Sequence, residues 1–180
     1  MTLLAFEDVH SYYGKAHVLH GVSLSVKQGE RVAIIGRNGV GKTTVVNSFL
    51  GAAVDRRGPW NIERIFELFP ILRERAEQTG VLMSGGQQQM LAIGRALMSN
   101  PELMVLDEPS EGLAPVIVDE LAELFVRLTR EGVSILLIEQ NFGLVHRATE
   151  RYYVLAKGTV VDEGRMAGLT IDSLKKHVAV

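Results

Sequence analysis

Lys42-Thr43-Thr44 closes a run that begins at Gly36: Gly36-Arg37-Asn38-Gly39-Val40-Gly41-Lys42-Thr43. The run fits G-x-x-x-x-G-K-[ST] in full, and it lies between an apolar segment and a segment of helical character, as a phosphate cradle requires. Glycines let successive backbone N–H groups curl round an anion, and the following helix N-terminus adds a favourable dipole. Lys42 is placed to reach the β- and γ-phosphates of a nucleotide, and the Thr43 hydroxyl to ligate Mg²⁺. The competing reading is a glycine-rich turn that fits by chance. The correct lysine, threonine and flanking elements weigh against it together.

Two further groups carry chemistry. Asp107-Glu108 ends the apolar run Leu103–Leu106. At a strand end the Asp107 carboxylate can hold a metal through water. Glu108, on the opposite side of the chain, can polarise an attacking water. Alone, such a pair reads as a solvated turn or a helix cap; behind a complete phosphate loop the balance reverses. Ser84-Gly85-Gly86-Gln87 has the serine and glutamine of a capping box. A serine and two glycines at a helix start also make an anion site. The first loop does not need that second contact for itself, and a nucleotide shared between two chains would account for it.

The elements that must hold these groups follow from the pattern. Leu3, Ala5 and Val9 fit an edge strand, Gly14-Lys15 a turn, and Val18–Val26 a strand with Val22, Leu24 and Val26 on one face. Lys27–Glu30 makes a turn, and Arg31–Ile35 is an apolar run suited to a strand buried on both sides. The spacing predicts helices over Lys42–Leu50, through Ile62, Ile65, Phe66 and Phe69 up to a break or kink at Pro70, and from Ser84 to about Met98, where Asn100-Pro101 ends the element. Leu103–Leu106 and Val133–Ile138 are two more buried strands. Between them Pro115 opens a helix with an apolar face of Ile117, Leu121, Leu124 and Leu128, and Gly132 lies just past its end. Tyr152–Leu155 and Thr159–Val161 flank the hairpin signal Lys157-Gly158. This alternation predicts an α/β fold with a largely parallel sheet.

Composition narrows the partners. The 19 basic and 21 acidic residues give a formal charge of −2, which argues against a broad footprint for nucleic acid. With no cysteine, disulfides, thiolate nucleophiles and cysteine-based metal sites are excluded. Met1–Asp8 lacks the basic flank and long apolar core of a secretory leader, and runs such as Val133–Ile138 are too short to cross a bilayer. A soluble, cytoplasmic chain that reaches a membrane by docking is the expectation. His10, His17, His20, His146 and His177 show no metal-ligand spacing with nearby carboxylates, Trp60 reads as a packing anchor or loop residue, and Arg73-Glu74-Arg75 as a solvated helix face.

The three chemical groups in this order resemble the ATP-binding-cassette ATPases over nearly the whole chain. More narrowly, Gln87-Gln88-Gln89-Met90-Leu91-Ala92-Ile93-Gly94-Arg95-Ala96-Leu97 and Asp107-Glu108-Pro109-Ser110-Glu111-Gly112-Leu113-Ala114-Pro115 are similar to the second ATPase subunit of branched-chain amino-acid importers. So are Glu139-Gln140-Asn141 and Phe66-Glu67-Leu68-Phe69-Pro70, with the ATPases of urea and short-amide importers as close siblings. The resemblance implies one nucleotide-binding domain over 1–180 with a P-loop NTPase core, mostly parallel sheet, antiparallel N-terminal strands and a truncated helical subdomain. Within it, 1–50 hold the strands and phosphate loop, 51–100 a remnant helical subdomain with the signature, and 101–180 the acidic strand and C-terminal part.

It further implies ATP and Mg²⁺ as cofactors. Gly36, Asn38, Gly39, Gly41, Lys42, Thr43 and Thr44 would hold the phosphates, with Thr43 and Asp107 on the metal. Tyr13, or its neighbour Tyr12, would stack on adenine. Ser84, Gly85, Gly86 and Gln87 of one subunit would press on the γ-phosphate of another, and Glu108, Lys42 and Gln140 would be catalytic. Ser110–Ala114 would pass close to the partner's site. Implied partners are a second ATPase subunit (a like copy or a paralogue), transmembrane permease subunits and, indirectly, a solute-binding protein, at the cytoplasmic face of the membrane. Nucleic acid is not among them.

The chain departs from that family twice. Gln140 stands where most relatives have a histidine that contacts the γ-phosphate, as a glutamine also does in the importer subgroup the chain resembles. Glutamine can donate a hydrogen bond there but cannot take up charge, so turnover is expected to be slower or to lean more on Glu108. The second departure is length: Lys42 and Ser84 are 42 positions apart, and relatives carry much more between them. That segment normally completes a small antiparallel sheet, supplies a glutamine loop and begins the helical subdomain. Leu50-Gly51-Ala52-Ala53 reads like its far end, and Gln78 and Gln87–Gln89 stand in the wrong context to replace it. Either the chain has an internal deletion or the written sequence closes a gap. The alternative function is then a nucleotide-binding protein impaired in hydrolysis.

Overall fold

The apolar runs form the middle of the molecule. In the computed structural model, residues 1–37, 39–47 and 58–178 are described, apart from the side chains of Tyr13, Thr43, Val46, Asn47 and His177. A two-stranded antiparallel sheet comes first, β1 (Thr2–Tyr13) with β2 (Ala16–Lys27). After β3 (Arg31–Ile35) come α1 (Lys42–Asn47), α2 (Ile62–Leu68), α3 (Pro70–Glu74) and α4 (Gly85–Leu97). Then β4 (Leu103–Asp107), α5 (Pro115–Arg130), β5 (Ser134–Glu139) and α6 (Phe142–Ala148) alternate. A hairpin of β6 (Arg151–Ala156) and β7 (Thr159–Arg165), and α7 (Ile171–Val178), follow. The second sheet has the order β4-β5-β3-β6-β7, parallel throughout except for the β6–β7 pair. The predicted α/β fold with a mostly parallel sheet and antiparallel N-terminal strands is the fold observed.

Strand β3 explains why the sheet is buried on both faces. Its residues alternate, so Val32 and Ile34 pack with Leu19, Val22, Leu24 and Val26 of β2, while Ala33 and Ile35 pack with the helical layer. Burying one such branched side chain contributes about 1.5–3 kcal/mol, which is why a polar residue inside this run would be costly. The turn before β3 is tied to β6 by Arg151, whose Nε donates to Glu30 Oε1 at 2.8 Å. Burial is the largest single influence and pushes the Glu30 carboxyl up, but the hydrogen bonds from Arg151 and the Lys27 N–H, with the charges of both residues, together outweigh it and leave the group below its usual range.

Three local expectations change. The buried side of β1 is Phe6, with Leu4 and Val9 packed against the core, and not Leu3 and Ala5. A register shift between Phe6 and Val9, at Asp8 with φ +51°, returns Val9 to the face of Phe6. In α5 the buried stripe is Val118, Leu121, Ala122, Phe125 and Leu128, so Ile117 and Leu124 sit at its margin. Phe125, the bulkiest side chain of the stripe, turns the helix that way. Pro70 does more than end α2: it occupies the first turn of α3, where its missing N–H costs nothing. The predicted helix end over 48–50 lies outside the described residues.

Trp60 is the packing anchor the sequence suggested, and Asn100 holds it. Trp60 N–H donates to Asn100 Oδ1 at 2.7 Å, and Asn100 Nδ2 donates to the Trp60 carbonyl at 3.2 Å. Asn100→Ala leaves both backbone groups unpaired and should lower stability by about 1–3 kcal/mol in urea unfolding. Trp60 is the single tryptophan and therefore a clean fluorescence reporter.

Candidate functional site

The parallel pairings bring three strand ends to one level. Ile35 lies opposite Glu139 and Asp107 opposite Ile138, so the turn after β3, the acidic pair and Gln140 all leave the sheet at the same edge. In the turn after β3 the first glycine is obligatory. A Cβ on Gly36 would lie 2.4 Å from the Leu155 carbonyl oxygen, backbone that cannot give way. Gly39 and Gly41 adopt φ of +80° and +101°, which L side chains rarely tolerate. Asn38 lies outside the described residues, and so do the side chains of Thr43, in the first turn of α1, and of Tyr13, at the end of β1. Thr44 follows in α1, half-buried.

Lys42 is buried, with 5% of its side chain exposed. Its Nζ donates to the carbonyls of Gly36 at 2.8 Å and Arg37 at 3.2 Å and lies 3.3 Å from Glu108 Oε1. The same carboxylate oxygen accepts from Gln140 Nε2 at 2.6 Å. The three residues expected to be catalytic therefore meet at one atom. Such an ion pair is weak evidence for stability, because desolvation offsets the attraction. Glu108 is also held in a left-handed conformation, φ +46°, with its N–H donating to the Ile138 carbonyl at 2.8 Å. That conformation costs on the order of 1–3 kcal/mol for a residue other than glycine, and such strain clusters at functional sites. Asp107 precedes it at the exposed strand end.

One participant escaped the sequence reading. Glu139 is 3% exposed, and its Oε2 accepts from the Ser110 N–H at 3.2 Å. Its Oε1 accepts from the N–H groups of Gln140 at 2.8 Å and Asn141 at 3.0 Å. The available signal was a carboxylate continuing the wholly apolar run Val133–Ile138.

Ser84-Gly85-Gly86-Gln87 forms a second surface. The capping box is complete: Gln87 N–H donates to Ser84 Oγ at 3.4 Å, and Ser84 N–H donates to Gln87 Oε1 at 3.0 Å. Accepting that bond leaves the serine hydroxyl free to donate outward. These residues line a groove with Gly112, Leu113 and Ala114, whereas Lys42 is surrounded by Gly36, Arg37 and Glu108. A Cβ on Gly85 would make only an ordinary contact with Leu113, 3.5 Å away. Packing inside the fold therefore does not demand glycine there.

Tyr12 is mostly exposed and stacks on His17, ring centroids 4.3 Å apart. His10 and His20 join it, with His10 Nδ1 3.0 Å from His17 Nε2, a clustering the sequence did not suggest. Burial, then the neighbouring His20 and His10, hold the His17 imidazole below its usual value. Among the described residues, no group of three or more histidine, cysteine, aspartate or glutamate side chains is arranged to hold a metal by itself. No helix of the described residues is long and apolar enough to cross a membrane.

A protein-family comparison matches the ABC transporter model in two segments, residues 19–65 and 55–111. The chain is 37% identical to the high-affinity branched-chain amino acid transport ATP-binding protein BraG of Pseudomonas aeruginosa, covering 88% of this chain and 91% of that protein. It is 26% identical to the glutamine transport ATP-binding protein GlnQ of Bacillus subtilis, covering 89% and 90%. Its fold matches the crystal structure of a nucleotide-free ATP-binding cassette from an ABC transporter with a TM-score of 0.80 at 26% identity, covering 100% of this chain and 96% of that one. The alignment with BraG runs over 212 positions, more than the 180 residues of the chain, so BraG carries residues that have no counterpart here.

The crowding at Gly36 makes a direct test. Gly36→Ala should abolish binding of a fluorescent ATP analogue while also lowering the melting temperature; unchanged nucleotide affinity would show that the turn is no cradle.

Proposed function

The chain belongs to the ABC transporter family of ATPases, which hydrolyse ATP to power transport, and from that premise we propose that it is the ATP-binding and hydrolysing subunit of an importer for branched-chain amino acids. The observation that carries the catalytic part is the convergence of Lys42 and Gln140 on Glu108 Oε1. Lys42 Nζ lies 3.3 Å from Glu108 Oε1 and balances its charge. A bound triphosphate competes for the lysine, since its terminal phosphates offer more negative charge. Release of Lys42 leaves Glu108 paired with Gln140 alone, a neutral donor that orients the carboxylate toward a water in line with the γ-phosphate.

Thr43 and Asp107 would hold Mg²⁺. A hydroxyl and a carboxylate are hard oxygen donors that suit this ion. When bound, the ion neutralises charge that develops on the phosphates. Ser84 and the Gly85 and Gly86 backbone would complete the site of a second ATPase subunit, a like copy or a paralogue, from across the interface. Glycine size at position 85, which internal packing does not require, supports that reading. Docking to permease subunits would place the chain at the cytoplasmic face of the membrane, with the solute-binding protein beyond them. The branched-chain substrate rests on the likeness to BraG, while GlnQ names a different amino acid.

A second reading has its own observation. The shortfall against BraG supports loss of a segment between Lys42 and Ser84, including the glutamine loop that the family resemblance implies. Such a chain would bind nucleotide and lend Ser84–Gln87 to a complete partner while hydrolysing poorly itself.

Glu108→Gln separates the two. On the leading reading it keeps ATP affinity within about twofold and lowers Mg²⁺-dependent phosphate release by roughly a hundredfold or more, measured with the chain alone and mixed with a full-length paralogue. Hydrolysis undiminished by the substitution would remove Glu108 from the mechanism. Wild-type hydrolysis only in the mixture would favour the second reading.

A further inference from the structure

Among the described residues, Glu139 is the one buried carboxylate at this edge that the proposed mechanism does not use, and its two oxygens serve two different segments. Oε2 takes the N–H of Ser110, in the loop that follows Glu108. Oε1 takes the N–H groups of Gln140 and Asn141. Asn141 in turn caps α6, its Oδ1 accepting from the Leu144 N–H at 3.1 Å. Through its strand partner Ile35, Glu139 also lies beside the entry to the Gly36 turn. One side chain thus ties the loop carrying Glu108, the residue that grips Glu108, and a helix start into a single unit.

A residue that only filled space here would be apolar, as its five predecessors in β5 are except Ser134. We propose that Glu139 is a positioning residue for ATP hydrolysis, locking Gln140 and the Glu108–Ala114 loop into one rigid body, so that a shift of that loop at the partner's surface moves the Gln140 grip on Glu108. The proposal rests on the ATPase reading above. It differs from that reading in assigning control of Glu108 to a residue that touches neither substrate nor Glu108 itself. The chemistry that matters is the possession of two acceptors. A glutamine in its place has one acceptor and one donor, so one of the two segments would face an NH₂ group with its own N–H.

Three measurements on Glu139→Gln test this. With Mg-ATP, kcat should fall roughly 10- to 100-fold, as misplacement of a catalytic group by about 1 Å can cause, while KM and nucleotide affinity stay within twofold. The double variant Glu139→Gln/Gln140→Ala should be no slower than Gln140→Ala alone, because both changes release the same grip. Hydrogen exchange of the nucleotide-free chain should show residues 108–113 and 139–142 losing protection together, with β3 unaffected. A kcat within twofold of the parent, losses that multiply in the double variant, or deprotection of one segment without the other would overturn the proposal. A parent chain that hydrolyses no ATP in any pairing would defeat the ATPase reading alone, and the exchange measurement would still decide the coupling.

Discussion

The in-register parallel pairing of β4, β5 and β3 is the constraint on which the rest depends. Because Asp107 stands opposite Ile138 and Glu139 opposite Ile35, three chain segments leave the sheet at one height. A one-residue slip of β5 would turn Glu139 to the other face and put Ile138 or Gln140 in its position, since side chains alternate along a strand. Register here is protected by burial on both faces: every residue from Ser134 to Glu139 is buried. The hydrophobic effect that builds the core is therefore also what sets the distance between a lysine and two side chains that come from elsewhere in the sequence.

That edge accommodates features which would be costly elsewhere. Lys42 is nearly excluded from water, Glu108 carries a left-handed backbone, and Glu139 is a buried carboxylate. Each is compensated locally. Two carbonyls and Glu108 satisfy the Lys42 ammonium, the Ile138 carbonyl accepts the Glu108 N–H, and backbone N–H groups satisfy both Glu139 oxygens. Among the described residues, no buried side-chain nitrogen or oxygen is left without a partner. Strain and desolvation concentrated at one edge, with full hydrogen bonding, describe a preorganised site rather than a flaw in packing.

Much of this was legible in the sequence because the signals are local. The glycine spacing of 36–41, the capping box at Ser84, Pro115 at a helix start and the Lys157-Gly158 turn, with φ of +49° and +79°, each state their own geometry within a few residues. The failures share a different cause. Which side of β1 is buried depends on a bulge at Asp8, and which face of α5 is buried depends on where Phe125 fits against the sheet. Glu139 looked like an ordinary strand end because its partners, Ser110 above all, are brought to it only by the β4–β5 pairing. The meeting of His10 with His17 and His20 likewise needs the antiparallel hairpin.

The glutamine at 140 makes better sense inside this arrangement than as a weakened histidine. Buried Lys42 and half-buried Glu108 already balance one another at 3.3 Å. A protonated imidazole at position 140 would add a second positive charge there. A carboxamide fixes the direction of that carboxylate at 2.6 Å without adding charge. On the proposed mechanism, departure of Lys42 to the phosphates then leaves Glu108 oriented by Gln140. On the proposed function, position 140 brings no charge to the γ-phosphate, and Ser84 with its two glycines, presented by a second subunit, would add neutral donors there.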